Sequence, residues 1–134
     1  ESSQSVFVQL SNGVLGRVNL SNGASSLILN VGTIPSKIAF ASDRNLVLIA
    51  NSDTGTPTQI RRLDLSTNTL LSDIGSVTGG AGPGIALENS HSALVGSNTG
   101  GLYRVDLDTG VTSRVDDGTL LSGVLIRNIA VRFQ

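Results

Sequence analysis

The sequence predicts an all-β protein built from three copies of one unit of about 44 residues. Three observations favour this fold class: a motif centred on arginine recurs three times, a second apolar motif recurs with the same period, and short apolar runs rich in branched residues are separated by Gly, Asn, Asp and Ser. Such runs are typical of strands joined by tight turns. No segment keeps the 3.6-residue period of a helix over a useful length.

The first motif reads apolar, variable, Arg, apolar, Asp or Asn, Leu, followed by a turn. It occupies residues 15–23, 60–68 and 102–110, at spacings of 45 and 42 residues. The arginine and the residue two positions after it share one strand face; the pairs are Arg17 with Asn19, Arg62 with Asp64, and Arg104 with Asp106. Three such pairs could bind three acidic groups, but repetition in every unit favours a structural role between neighbouring units.

The second motif, at 38–40, 85–87 and 129–131, reads Ile-Ala followed by an apolar residue. A third apolar element appears at 6–8, 46–50 and 93–95, and each of these runs leads through a polar loop to the arginine motif. Each unit therefore has four strands: a (the Ile-Ala motif), b (the third element), c (the arginine motif) and d, such as 26–31. Four antiparallel strands in 40 to 45 residues are the signature of a β-propeller blade.

Two segments carry a resemblance to known propellers. The run Gly-Leu-Tyr-Arg-Val-Asp-Leu-Asp-Thr-Gly at 101–110 and the run Gly-Pro-Gly-Ile-Ala-Leu at 82–87 resemble blades of the NHL, YVTN and gluconolactonase-like propellers. The resemblance implies the fold and leaves the activity open, because lactonases, lyases and pure binding modules share it. Aromatic residues make up only 3% of this chain, fewer than in many such blades.

The phase of the repeat predicts a single half-propeller domain over 1–134. Its blades are about 1–33 plus 125–134, 34–78 and 79–124, so the chain opens with b, c and d and ends with strand a at 128–133. Three blades cannot close a ring, because propellers have at least about four. We expect one of two arrangements. Two copies form a homodimer that closes one six-bladed ring, or the partner is the missing remainder of a longer propeller chain, an alternative that the absence of Met favours.

Composition excludes several function classes. Nine basic and ten acidic residues give a net charge of −1 without a basic cluster, which argues against nucleic acid as a partner, and no apolar run is long enough for membrane insertion. The absence of cysteine excludes disulfides, thiolate nucleophiles and cysteine metal sites. A composition rich in Ser, Thr, Asn and Gly and poor in Lys favours a secreted or periplasmic location.

The resemblance places any ligand at one mouth of the central channel, where the d–a connections, the starts of strands a and the b–c loops meet. The ligand-binding candidates in these segments are Ser36, Lys37, Asn51, Asp53, Asn98, Arg127 and Asn128. Asn and Asp oxygens suit Ca²⁺, so calcium is the one cofactor considered, and no catalytic residue is assigned. Glu88 falls in an a–b turn at the opposite end of strand a, which puts a lactonase-like metal set in doubt.

Two other features are expected to be structural. His91, the only histidine, falls in an a–b turn and is expected to be a solvated loop residue. The glycine-rich run at 79–84 lacks the Lys and Ser or Thr of a phosphate loop and is expected to be a d–a connection.

The sequence thus favours a non-enzymatic binding or interaction propeller for a protein or small-molecule ligand. Glycan binding has little support, because the chain has no Trp and a single tyrosine, Tyr103. The alternatives are a lactonase-like or lyase-like enzyme with its site at the channel mouth, or a stable proteolytic fragment of a larger propeller protein.

Overall fold

The chain folds into antiparallel β-sheets, as seen in a computed structural model that describes residues 4–10, 13–30, 35–41, 46–51, 57–79, 84–97, 99–116, 118–119, 126 and 128–131. The strands are β1 Ser5–Gln9, β2 Val14–Asn19, β3 Ser25–Asn30, β4 Pro35–Ala41, β5 Leu46–Asn51, β6 Thr58–Asp64, β7 Thr69–Leu70, β8 Gly75–Val77, β9 Ile85–Asn89, β10 Ser92–Gly96, β11 Leu102–Asp106 and β12 Thr112–Arg114. The described residues contain no helix, so the predicted all-β class is confirmed.

Three separate sheets correspond to the three predicted units. The first has the order β1-β2-β3, the second β4-β5-β6-β7 with β8 also on β6, and the third β12-β11-β10-β9. The hairpin between strands b and c keeps one register in all three sheets: its matched pairs are Phe7 with Arg17, Leu48 with Arg62, and Leu94 with Arg104. We call these sheets blades 1, 2 and 3.

The outer strand of blade 2 is interrupted. β7 pairs with the C-terminal end of β6 and β8 with its N-terminal end. Between them, the amides of Leu71 and Ile74 still donate to the carbonyls of Arg62 and Ile60, at 2.8 Å each. Strand d of this blade is therefore one outer strand that bulges away from β6 at residues 72–73.

Two apolar clusters join the blades face to face. Leu15 of blade 1 and Leu63 of blade 2, both fully buried, form the centre of the first cluster. The second cluster combines Ile60 of blade 2 with Ala93, Val105 and other apolar residues of blade 3. Since side chains alternate between the two faces of a strand, blade 2 is covered on both faces and blades 1 and 3 on one face each.

The structure corrects one prediction about the chain end. Residues 128–133 were expected to form strand a, but the described part of this segment, 128–131, has no strand assignment. Its exposure nevertheless alternates as in an inner strand, with Ile129 and Val131 half-buried and Asn128 and Ala130 exposed. A strand is defined by hydrogen bonds to a neighbouring strand, and this segment has no b strand beside it in the described chain.

Candidate functional site

The repeated arginines have three different environments. In blade 3, Arg104 donates from Nε and Nη2 to both oxygens of Glu88, at 2.6 and 2.5 Å, and the Ser92 hydroxyl donates to the same carboxylate at 2.8 Å. These hydrogen bonds, that of Arg104 first, hold the pKa of Glu88 below its usual value, and Glu88 in turn raises the pKa of Arg104. Arg104 and Glu88 therefore form a fixed ion pair across β9, β10 and β11.

The other two arginines have no carboxylate in an ion pair within the described residues. The Arg17 guanidinium carbon lies 5.9 Å from the centroid of the Phe7 ring, a cation–π distance. The Nε atom of Arg62 is buried without a hydrogen-bond partner among the residues described. The repetition therefore does not create three equivalent acid-binding sites in this part of the chain.

The residue two positions after each arginine has a shared structural role. Asn19, Asp64 and Asp106 accept a hydrogen bond from the backbone amide two residues ahead, at 2.8 to 2.9 Å. The Ser66 hydroxyl, followed by the Ser66 amide, lowers the pKa of Asp64. The Thr109 amide, followed by the Asp108 amide, lowers the pKa of Asp106. The side chains thereby fix the turn between strands c and d, which is the usual role of Asn and Asp in such turns.

His91 has a partner that the sequence did not reveal. Its Nδ1 atom lies 2.7 Å from a carboxylate oxygen of Asp108, and the two side chains are 67% and 48% exposed. His91 follows strand a and Asp108 follows strand c, so both lie at the end of blade 3 opposite the predicted channel mouth. The repeat could have indicated this contact, because the a–b and c–d turns of one blade lie at the same end of the blade.

At the other end of blade 3, three segments of chain are joined by hydrogen bonds. The buried Ser97 hydroxyl, just after β10, donates to the Thr78 carbonyl at 2.9 Å. The Gly84 amide, just before β9, donates to the Ile126 carbonyl at 2.8 Å. A Cβ atom on Gly84 would lie 3.1 Å from the Asn128 backbone, so these two backbones are in close contact. The b–c loop, the d–a connection and the C-terminal segment therefore meet here.

Four of the seven predicted ligand-binding residues are described, and they lie in segments equivalent to those that meet at this end of blade 3. Ser36 and Lys37 begin β4, and Asn51 ends β5 opposite Pro35. Lys37 is exposed, and Asn128 is exposed beside Gly84. Asp53, Asn98 and Arg127 lie outside the described residues. The ligand-binding role of all seven remains a prediction.

The largest feature that sequence analysis missed is an apolar face on blade 1. Val6, Leu10 and Leu27 are exposed by 41%, 42% and 75%, and Val8 and Val18 beside them are half-buried. The register places Val8, Gly16 and Leu27 side by side across β1, β2 and β3. This face, which we call the open face of blade 1, is turned away from blade 2 and contains a shallow depression of about 240 Å³.

The described residues contain neither a side-chain cluster suited to a metal ion nor a membrane-spanning helix. No group of three or more His, Cys, Asp or Glu side chains there is arranged to hold a metal ion. Nor does that part of the chain include a helix of the length and apolarity needed to cross a membrane.

Comparison with known proteins identifies the fold. No protein-family model and no curated protein matches the sequence. In total, 41 chains of solved structures match. A Bacteroides thetaiotaomicron structural-genomics protein of unknown function shares 13% identity with a TM-score of 0.68 over 89% of this chain and 30% of its own. TolB from Acinetobacter baumannii, a β-propeller, shares 20% identity with a TM-score of 0.62 over 87% of this chain and 31% of its own.

These similarities confirm that the chain has a β-propeller-like fold of three blades. At identities of 13% and 20%, they do not distinguish the NHL and YVTN classes from other propellers. The chain spans about a third of the length of the solved structures it matches.

Proposed function

We propose that this chain is a binding module of the propeller class, without catalytic activity, and that its main binding surface is the open face of blade 1. The occupant is a further propeller blade, which presents an apolar sheet face of the kind that already covers blades 2 and 3. The observation that carries this proposal is the exposure of apolar residues at positions that are buried elsewhere in the chain.

Equivalent positions make the comparison direct. Val6 and Val8 of β1 correspond in register to Ala93 and Val95 of β10, which are both fully buried against blade 2. Val6 is 41% exposed, because no blade precedes blade 1 in the described chain. Leu27 on β3 extends the same apolar face and is 75% exposed. Covering one such side chain contributes about 1 kcal/mol or more. Contiguous exposed apolar side chains of this kind mark protein interaction surfaces.

The acidic residues support a binding function over acid–base catalysis. The four carboxyl groups with shifted pKa values among the described residues, Asp64, Glu88, Asp106 and Asp116, are all lowered by hydrogen bonds. A general acid at neutral pH needs a raised pKa. These carboxylates instead remain ionised and hold turns and strand pairs in place.

A second part of the proposal concerns the channel mouth, where exposed Lys37 and Asn128 belong to segments that propellers use for ligands. We assign to this end a protein or small-molecule ligand, with the polar side chains as contacts. The Ser- and Asn-rich, Lys-poor composition supports a secreted or periplasmic setting for that ligand.

The open face can be tested with cysteine labelling, because the chain has no native cysteine. Two copies are joined head to tail in one polypeptide, and Val6→Cys is placed in the second copy, where a preceding blade is available. If the tandem polypeptide stays open, we expect a maleimide to react at this cysteine about tenfold more slowly than at the same substitution in the first copy. If the tandem closes into a ring, the cysteines of both copies should react equally slowly. Leu20→Cys, 57% exposed in the turn before β3, is the matched control and should react rapidly in either copy.

The reaction rate at Val6→Cys of the second copy decides the outcome. If it equals that of the Leu20→Cys control, the open face does not accept a blade and the proposed function is wrong.

A further inference from the structure

Both contacts between blades use the same two positions of strand c. Leu15 and Ile60, two residues before the repeated arginine, face the following blade. Leu63 and Val105, one residue after the arginine, face the preceding blade. All four side chains are fully buried, and each contact contains one residue from before the arginine and one from after it.

At the two ends of the chain, the same two positions have no further blade beside them among the described residues. Leu102 of blade 3 corresponds to Leu15 and Ile60 but is only half-buried. Val18 of blade 1 corresponds to Leu63 and Val105 and is also only half-buried. The two positions are therefore complementary. Leu102 lacks a packing contact with a residue at the position of Val18, and Val18 lacks one with a residue at the position of Leu102.

The inner strands show the same complementarity. In blades 2 and 3, β4 and β9 cover the inner edge of strand b, whereas in blade 1 no described residue covers that edge of β1. Residues 128–131 repeat the Ile-Ala motif of β4 and β9, and they continue from Ile126, whose backbone is hydrogen-bonded to Gly84 and Ser97 of blade 3. Blade 2 separates this segment from β1 of its own chain.

We propose that two copies of this chain close one six-bladed ring, in which residues 128–131 of each copy pair with β1 of the other. Leu102 of each copy then packs against Val18 of its partner and repeats the contact made by Leu15 with Leu63. The two new contacts are related by a two-fold axis, the commonest symmetry of soluble oligomers. Closure also covers the free inner edge of β1 in each copy. The proposal rests on the proposed function, because the partner occupies the open face of blade 1.

The test is the solution mass of the untethered chain, measured by light scattering during size-exclusion chromatography. We expect twice 13.8 kDa at about 100 μM, well above a dissociation constant of 1 μM or tighter. Val18→Glu and Leu102→Arg each place a charge in both contacts of the ring, so each variant alone should elute with a mass of 13.8 kDa.

Mixing the two variants provides the specific control. In a mixed ring, one contact is unchanged and the other places Glu opposite Arg, so an equimolar mixture should recover the doubled mass. Leu20→Glu, in an exposed turn away from both contacts, should leave the doubled mass intact. Far-ultraviolet circular dichroism checks that each variant is folded. If Val18→Glu is not folded, Leu27→Glu replaces it.

The outcomes separate this inference from the proposed function. A wild-type mass of 13.8 kDa, unchanged mass in the charged variants, or no recovery on mixing overturns the two-copy ring. If Val6→Cys is nevertheless protected in the tandem polypeptide, the open face does accept a blade, and that blade comes from a longer chain and not from a second copy. If protection is absent as well, both proposals fail.

Discussion

Glu88 is the residue at which three strands of blade 3 are joined by side chains. It lies on β9, accepts from Ser92 on β10, and accepts two hydrogen bonds from Arg104 on β11. A bidentate arginine–carboxylate contact fixes orientation as well as distance. The arginine motif supplied one half of this contact in the sequence. The partner could not be inferred, because Glu88 lies 16 residues away and no other blade has a glutamate at that position of its described inner strand.

Replacing Glu88 with Gln should lower the free energy of unfolding at pH 7 by about 0.5 to 1 kcal/mol. The estimate is kept small because the Glu88 and Arg104 side chains are 26% and 43% exposed and water screens their attraction. Urea unfolding provides the measurement. Asp73→Asn, which breaks the exposed pair between Asp73 and Arg61, is the control and should change stability less.

The pair also sets a pH dependence. Because the pKa of Glu88 in the folded chain is below its ordinary value of 4.5, its stabilisation is complete above that pH and is lost as pH falls through the lower folded value. The wild-type chain should therefore lose more stability than Glu88→Gln between pH 5 and pH 3. Equal losses in both proteins would contradict the role assigned to the pair.

At the scale of elements, the turn between strands c and d is the most regular feature of the repeat. Its residue four positions after the Asn or Asp has positive φ in every blade, with values of 71° at Gly23, 52° at Asn68 and 76° at Gly110. Gly and Asn adopt this conformation most readily, which explains their recurrence at this position. The turns differ in what surrounds them. A Cβ atom on Gly23 would meet nothing within 4 Å, but one on Gly110 would lie 1.8 Å from the Ile74 carbonyl oxygen of blade 2.

Two glycine-to-alanine substitutions separate backbone strain from packing. Gly23→Ala should cost about 1 kcal/mol of stability, the price of a left-handed conformation for a residue with a Cβ. Gly110→Ala carries the same strain and should cost about 2 kcal/mol more, because blades 2 and 3 must move apart where Ile74 meets the turn. Thermal unfolding of the two variants side by side provides the measurement. Similar losses would show that the contact between Gly110 and Ile74 contributes little.

The elements also show where prediction from sequence succeeded and where it stopped. Strands b and c were located by short apolar runs and by a motif whose spacing repeats, so their positions followed from local pattern. Strand d of blade 2 was predicted without its bulge, because residues 72–73 leave β6 without any Gly or Pro to indicate the break. Segment 128–131 was assigned as a strand from the Ile-Ala motif, but the motif encodes only the face to be buried and cannot supply the neighbouring strand.

The candidate site was harder to predict than the fold for the same reason. The resemblance to known propellers, mapped onto the repeat, predicted Lys37 and Asn128 at one end of their blades. It did not reveal the open face of blade 1, because Val6 and Val8 look like any other buried b-strand residues. Their exposure depends on the absence of a neighbouring blade, which is a property of the arc and not of the local sequence.

For the whole molecule, the arrangement is an arc in which blade 2 is covered on both faces and blades 1 and 3 are each covered on one. Leu15 and Leu102 occupy equivalent positions in this arc. Leu15 is buried within the chain, whereas Leu102 is half-buried there and becomes buried by the partner copy in the proposed ring. The two residues should therefore contribute to different equilibria, Leu15 to folding of the chain and Leu102 to association.

Alanine at each position tests this difference. Leu15→Ala should lower the free energy of unfolding by about 2 to 5 kcal/mol. Leu102→Ala should instead make the melting temperature depend more steeply on protein concentration, because weaker association is offset by mass action. Calorimetry over a hundredfold range of concentration provides the measurement. A Leu102→Ala deficit that stays constant across that range would contradict a role in association.

If the ring forms as proposed, the uncovered edge of β1 has a consequence for the chain before that assembly. The strand reads Ser-Val-Phe-Val-Gln and contains no charge, proline or glycine. Natural sheets usually protect a free edge with gatekeepers such as lysine or proline, since an apolar edge without them templates aggregation. This edge has no such protection, so the time between synthesis and burial of β1 is a period of exposure to misassembly. Fast capture of that edge is then a requirement for solubility as well as for shape.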